Sequence, residues 1–175
     1  AGVSEAAAAL ARDLGARFRV KVDDREHYTP GWKFNEWEMR GVPIRLEMGP
    51  RDVAKGQVVL VRRTGGEKEA VARERLTERL MQALDEVQAE LHERGRRFLD
   101  DHITAASTVE EIGALIADRR GFVRVGWCES QECEDQIRDA TGASPRLIPL
   151  DDRPEGACVV CGRSSRATVF YARAY

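Results

Sequence analysis

Residues 29–52 read TPGWKFNEWEMRGVPIRLEMGPRD, and the fold turns on what the chain does at Gly41. Before it, KFNEWEMR has the spacing of a short helix with Phe34, Trp37 and Met39 inward, and glycine is a common helix stop. After it, VPIRLEMG alternates as a strand does. The stretch predicts a helix-to-strand corner whose apolar residues, Trp37, Val42, Ile44 and Leu46, hold the core. Glu38, Arg45 and Arg51 then stand outside, more guanidinium and carboxylate than a buried strand needs.

Upstream, DDREHYTPGWK is turn-rich and reads as a loop. RFRVKVD places Phe18, Val20 and Val22 on one face and predicts a half-buried strand. Val3, Ala7, Leu10, Ala11 and Leu14 fall at helical spacing and stop at Gly15. Downstream, GPRDVAKG has room for one helical turn, QVVLVRR reads as a strand, and Gly65–Gly66 turns into another at residues 68–71. Helix, strand, short helix, strand, turn, strand is the order of a mixed α/β layer whose first strand is missing.

Leu76, Leu80, Leu84, Val87 and Leu91 mark a long helix, broken or kinked at Gly95, with Phe98, Leu99 and Ile103 continuing its stripe. Ser107 or Thr108 caps the next helix. FVRVGWC, RLIPLD and ATVFYARAY read as strands and ECEDQIRDATG as a helix. The expected organisation is a domain over residues 1–72, a connecting helix over 73–105 and a small α/β domain over 106–175.

The 175 residues carry 28 basic and 30 acidic side chains, a net charge of −2, which excludes nucleic-acid binding through bulk positive charge. Any such contact must be local. No apolar run is long enough for a membrane span, and no stretch has the order of a signal peptide, so the expectation is a soluble, cytoplasmic protein.

Cys128 and Cys133 are separated by four residues, Cys158 and Cys161 by two. Two close pairs are what a tetrahedral four-thiolate site needs, and Zn2+ suits soft sulfur with no open position, making the metal structural. Two disulfides or four buried thiols are the competing readings. His27, His92 and His102 are isolated from any nucleophile or second ligand.

DDREHYTPGWKFNEWEMRGVPIRLEMGPRDV followed by QVVLVRR resembles the anticodon-binding domain of class II aminoacyl-tRNA synthetases, specifically the archaeal and eukaryotic-like prolyl type. That family follows the domain with a C-terminal α/β domain that often carries four zinc-binding cysteines and ends in Tyr, as FYARAY does. The resemblance implies an N-terminally truncated anticodon-binding domain, then a long helix, then a zinc domain. It implies tRNA(Pro) as partner, and an upstream catalytic domain that uses ATP and Mg2+ and forms a homodimer. It also implies that Tyr175 steadies the active site from a distance.

Proline anticodons carry two adjacent guanines. Each guanine offers donors at N1 and N2, which a carboxylate satisfies, and acceptors at O6 and N7, which a guanidinium satisfies. By resemblance, Glu38 accepts from a guanine, Arg45 donates to O6 or N7, and Arg51 meets base or phosphate, with Lys68 as a further phosphate contact. The competing reading makes Glu38, Arg45 and Arg51 surface ion pairs. Phe34 and Trp37 read as core, while Trp32 is left between core and base stacking. A freestanding zinc-binding RNA or protein interaction module without aminoacylation is the alternative function.

Overall fold

The computed structural model describes residues 2–118, 121–151, 154 and 156–174. The chain divides into two compact units, the first ending at Arg94 and the second beginning at Gly95. Both are mixed α/β.

In the first unit, α1 (Val3–Gly15) lays Leu10 and Leu14 on a core built with Val58, Leu60, Val71, Leu76, Leu80 and Ala83. β1 (Ile44–Glu47), β2 (Gln57–Arg62) and β3 (Glu69–Ala72) form an antiparallel sheet in that order. Between them lie α2 (Pro30–Met39) and α3 (Pro50–Ala54). A 3-10 turn at Arg73–Arg75 leads into α4 (Leu76–Asp101), whose buried positions Leu76, Leu80, Ala83 and Val87 recur at helical spacing. Arg62 donates to Glu86 and Glu90, and Arg79 to Glu69 and Glu86, so these charges close on one another at the surface.

Five expectations need correction, one of them in the second unit, where only Arg146 and Leu147 of RLIPLD lie in a strand, the one over Ala143–Leu147. RFRVKVD forms no strand, and Val20 is exposed. An alternating segment holds its register only when a neighbouring strand satisfies its amides and carbonyls, and among the described residues no strand pairs with Arg19–Val22. α2 begins at Pro30, earlier than the loop reading allows. Thr29 caps it by accepting from the Trp32 amide, and Pro at the first position needs no amide partner. α4 runs unbroken through Gly95 and ends at Asp101, so Ile103 belongs to a strand while Phe98 and Leu99 are exposed. At the corner, Met39 is exposed, and Trp37, Val42, Ile44 and Leu46 are half-buried around a core centred on Val58 and Leu60.

In the second unit, β4 (Ile103–Ala105), β5 (Phe122–Trp127), β6 (Ala143–Leu147) and β7 (Ala167–Arg173) form a sheet ordered β4-β5-β7-β6, with β4 parallel to β5 and the other pairs antiparallel. α5 (Val109–Asp118) starts in a reciprocal cap, Thr108 accepting from the Glu111 amide and Glu111 from the Ser107 amide. α6 (Gln131–Thr141) ends at Gly142, which takes the left-handed conformation there. Ile112, Val123, Val125, Ile137, Val169 and Tyr171 make the core. No helix of the described residues is long and apolar enough to cross a membrane.

Two candidate functional sites

The first site is the surface of the α2–β1 corner. Asp23 organises the approach: it accepts from Arg25 Nε and Nη2 at 2.8 and 2.7 Å and from Trp37 Nε1 at 2.8 Å. The Arg25 guanidinium holds the Asp23 carboxyl well below the usual carboxylate range, against some burial and with help from Trp37. Arg25 also reaches Glu36 at 2.6 Å, fastening the loop to α2. Tyr28 and Trp32 stack at 3.8 Å, with Trp32 45% exposed, so Trp32 is a surface ring already holding one aromatic partner.

Beyond α2 the Trp37 carbonyl accepts from Val42, Gly41 supplies a positive φ, and the chain reverses into β1. That turn brings Arg45 back to Glu38. Arg45 Nη1 donates to Glu38 Oε1 at 2.5 Å and its Nε to Glu47 Oε1 at 3.0 Å, while the guanidinium lies 4.0 Å from the Phe34 ring centroid. Lys68 donates to the other oxygen of Glu47 at 2.7 Å. Burial pushes the Glu47 carboxyl up, but Lys68 and Arg45 together hold it below its ordinary value.

The structure thus joins Glu38 and Arg45 into one unit. Arg51, exposed in α3, makes no ion pair among the described residues. Lys68 is committed to Glu47, which sequence reasoning left unassigned. Its alternation with Arg45 on β1 is the signal that puts both on one face. Phe34 is half-buried as the shelf under Arg45, and Trp37 is half-buried with its indole nitrogen tied to Asp23.

Chemically, a carboxylate and a planar fork on one shelf present an acceptor beside donors. Oε1 of Glu38 is committed to Arg45 and Nε of Arg45 to Glu47. The second oxygen of Glu38 and the Nη2 of Arg45 make no hydrogen bond among the described residues. An edge carrying both donors and acceptors can be met there without dismantling the pair.

The second site holds the cysteines. Cys128 follows β5, and Cys133 sits in the first turn of α6, its amide donating to the Ser130 carbonyl. Cys158 and Cys161 lie on a knuckle in which the Cys158 carbonyl accepts from Gly162 and the Cys158 amide donates to Arg163. Gly162 takes a positive φ there. Val159 donates to the Gly126 carbonyl and Arg166 to that of Trp127, docking the knuckle on β5.

All four Sγ atoms lie within 4.8 Å of one another, with Cys128 at 3.6 Å from both Cys133 and Cys161. These separations exceed the roughly 2.05 Å of a disulfide, and all four cysteines are free. Zn–S bonds of about 2.3 Å in a regular tetrahedron would place the sulfurs about 3.8 Å apart. The donor set therefore fits a tetrahedral thiophilic cation with no open position. Burial pushes the Cys133 thiol up to about 12, whereas hydrogen bonds from Arg163 bring Cys161 down to about 6.

Gly126 is required by this docking, since a Cβ there would sit 2.6 Å from the Ala157 carbonyl oxygen. Gly126→Ala is expected to push the knuckle off β5 and destabilise this unit by about 1–3 kcal/mol, measured by urea unfolding; an unchanged midpoint would show the approach to be slack. Tyr175 lies outside the described residues.

Residues 1–82 match the family described as anticodon binding domain, and residues 109–175 match the family described as prolyl-tRNA synthetase, C-terminal. The chain is 44% identical to a proline–tRNA ligase of Natranaerobius thermophilus over 95% of its length and 45% identical to one of Rubrobacter xylanophilus over 99%. It covers 35% and 36% of those proteins, so it spans about a third of the curated relatives it matches. With both families in this order and such identity along the chain, it is similar to the anticodon-binding and C-terminal domains of prolyl-tRNA synthetases.

Proposed function

We propose that the chain is the tRNA-recognition portion of a proline–tRNA ligase, which attaches proline to tRNA(Pro) in an ATP-dependent two-step reaction. Proline activation, with its ATP and Mg2+, belongs to a catalytic domain outside this chain, which this portion braces, and the full enzyme works as a homodimer in the cytoplasm. The type is the archaeal and eukaryotic-like one, supported by TPGWKFNEWEMRGVP and by the four-cysteine domain. Residues 1–72 form the anticodon-binding domain, 73–105 connect, and 106–175 bind structural zinc through Cys128, Cys133, Cys158 and Cys161. Tyr175 acts toward the catalytic domain.

The observation that carries the reading is the Glu38–Arg45 pair on its Phe34 shelf within a matched anticodon-binding domain. Glu38 accepts from N1–H or N2–H of a guanine, and Arg45 donates to O6 or N7. Arg51, without an ion partner among the described residues, takes base or phosphate. In an unpaired loop the bases splay and expose both edges, so few side chains suffice and bulk positive charge is not needed. That agrees with the net charge of −2. No feature of the structure favours the freestanding module.

Inosine tests this, since it differs from guanine only in lacking the N2 amino group. With each guanine of a proline anticodon stem-loop replaced in turn by inosine, the replacement at the guanine whose N2–H meets Glu38 is expected to weaken binding to the chain about tenfold or more, the loss of a hydrogen bond to a charged group. Equal affinity for the guanine RNA and for both inosine RNAs, by fluorescence anisotropy, would refute an N2–H contact to Glu38.

A further inference from the structure

Arg163 stands outside every role assigned so far. It is exposed, on a chain with 30 acidic residues, yet its guanidinium makes no ion pair with a carboxylate among the described residues. It turns instead onto sulfur: Nε donates to Cys161 Sγ at 3.2 Å and Nη2 to Cys128 Sγ at 3.7 Å. One fork therefore touches a cysteine of each pair. Its backbone is fixed as well, because the Arg163 carbonyl accepts from the Cys158 amide at 2.8 Å. The nearby Arg166 is engaged differently, 3.8 Å from Glu129.

Four thiolates around a divalent cation leave an excess of negative charge that the ion does not neutralise. A guanidinium bonded to two of the sulfurs offsets part of it and leaves those lone pairs less open to protons, oxidants and competing ligands. It also covers Cys161, the exposed member of the set. Outer-shell partners of this kind orient ligands and tune the metal, and their loss commonly lowers affinity by about 10–100-fold.

We propose that Arg163 is a positioning residue of the four-cysteine site, bridging the two cysteine pairs through Cys128 and Cys161 and setting how tightly a bound thiophilic cation is held. This rests on the zinc reading of the cysteines. The bridge is electrostatic and directional, so charge and planar fork both matter.

The test uses the 175-residue chain loaded with Zn2+ and titrated against a chromophoric chelator, with Arg163→Gln, Arg163→Lys and Cys133→Ala beside the unaltered chain. Arg163→Gln is expected to lower zinc affinity about 10–100-fold and to speed reaction of the loaded thiols with an aromatic disulfide. Arg163→Lys, which keeps charge without the fork, is expected to recover part of the affinity. The Co2+-loaded chain should keep its tetrahedral absorption in Arg163→Gln, separating weaker retention from a collapsed site. Affinity within threefold of the unaltered chain in Arg163→Gln would overturn the proposal while leaving the zinc site intact. Less than one ion held per unaltered chain, with Cys133→Ala no different, would instead overturn the zinc reading and this inference with it.

Discussion

Stripping the zinc proposed for the four cysteines with a chelator is expected to lower the thermal midpoint of the second unit steeply and leave that of the first in place. The apolar core there is a small cluster around Ile112, Val125, Ile137 and Tyr171. Among the described residues between β6 and β7 there is no regular helix or strand, and the knuckle ties this stretch to β5. Without the ion, Cys128, Cys133, Cys158 and Cys161 are thiols packed within 4.8 Å of one another, the two pairs held together by Arg163, a Cys128–Cys161 contact and the backbone bonds of the knuckle to β5. An ion bound only by the folded state, with free metal about a thousandfold above its Kd, contributes about 4 kcal/mol. For a unit of this size that moves the midpoint by roughly 15–30 °C. Calorimetry with and without chelator measures it; a shift of only a few degrees would show that the core alone carries this unit.

Arg45→Ala, in a full-length ligase containing this chain, is expected to reduce kcat/KM for proline tRNA by about 5- to 150-fold, the equivalent of roughly 1–3 kcal/mol for a bidentate base contact. Proline-dependent ATP–pyrophosphate exchange without tRNA should be unchanged, because that step needs no anticodon. The substitution also strands Glu38, whereas Glu47 keeps its pair with Lys68. Arg45→Lys therefore makes a useful companion: it restores the charge and fails to restore the fork. Loss of both activities in parallel would refute an anticodon role for Arg45.

What could be read from sequence depended on whether the deciding interaction was local. The cysteine pairs declared themselves because a turn fixes the spacing of ligands only a few residues apart. Thr29 and Pro30 carried a helix-start signal, yet the same residues also serve in turns, and the cap geometry decided between the two. RFRVKVD was misread because alternation reports a face and not a partner. Glu38 and Arg45 were each recognised as outward charges, but their pairing across Gly41 depends on the angle of one turn. Arg163 gave no sequence signal beyond its place two residues after Cys161. What it touches is decided by Cys128, 35 residues away in the chain.

The glycine in β5 carries a consequence for descent. Gly126 is held bare by the knuckle that presses against it, and the knuckle is pressed there to complete the ring of sulfurs. The position and the thiolates are therefore expected to rise and fall together under selection. In a lineage that gives up its cysteines the knuckle is released, and with it the ban on a side chain at 126. Drift to alanine or serine at that strand position should follow the loss of the thiolates and not precede it.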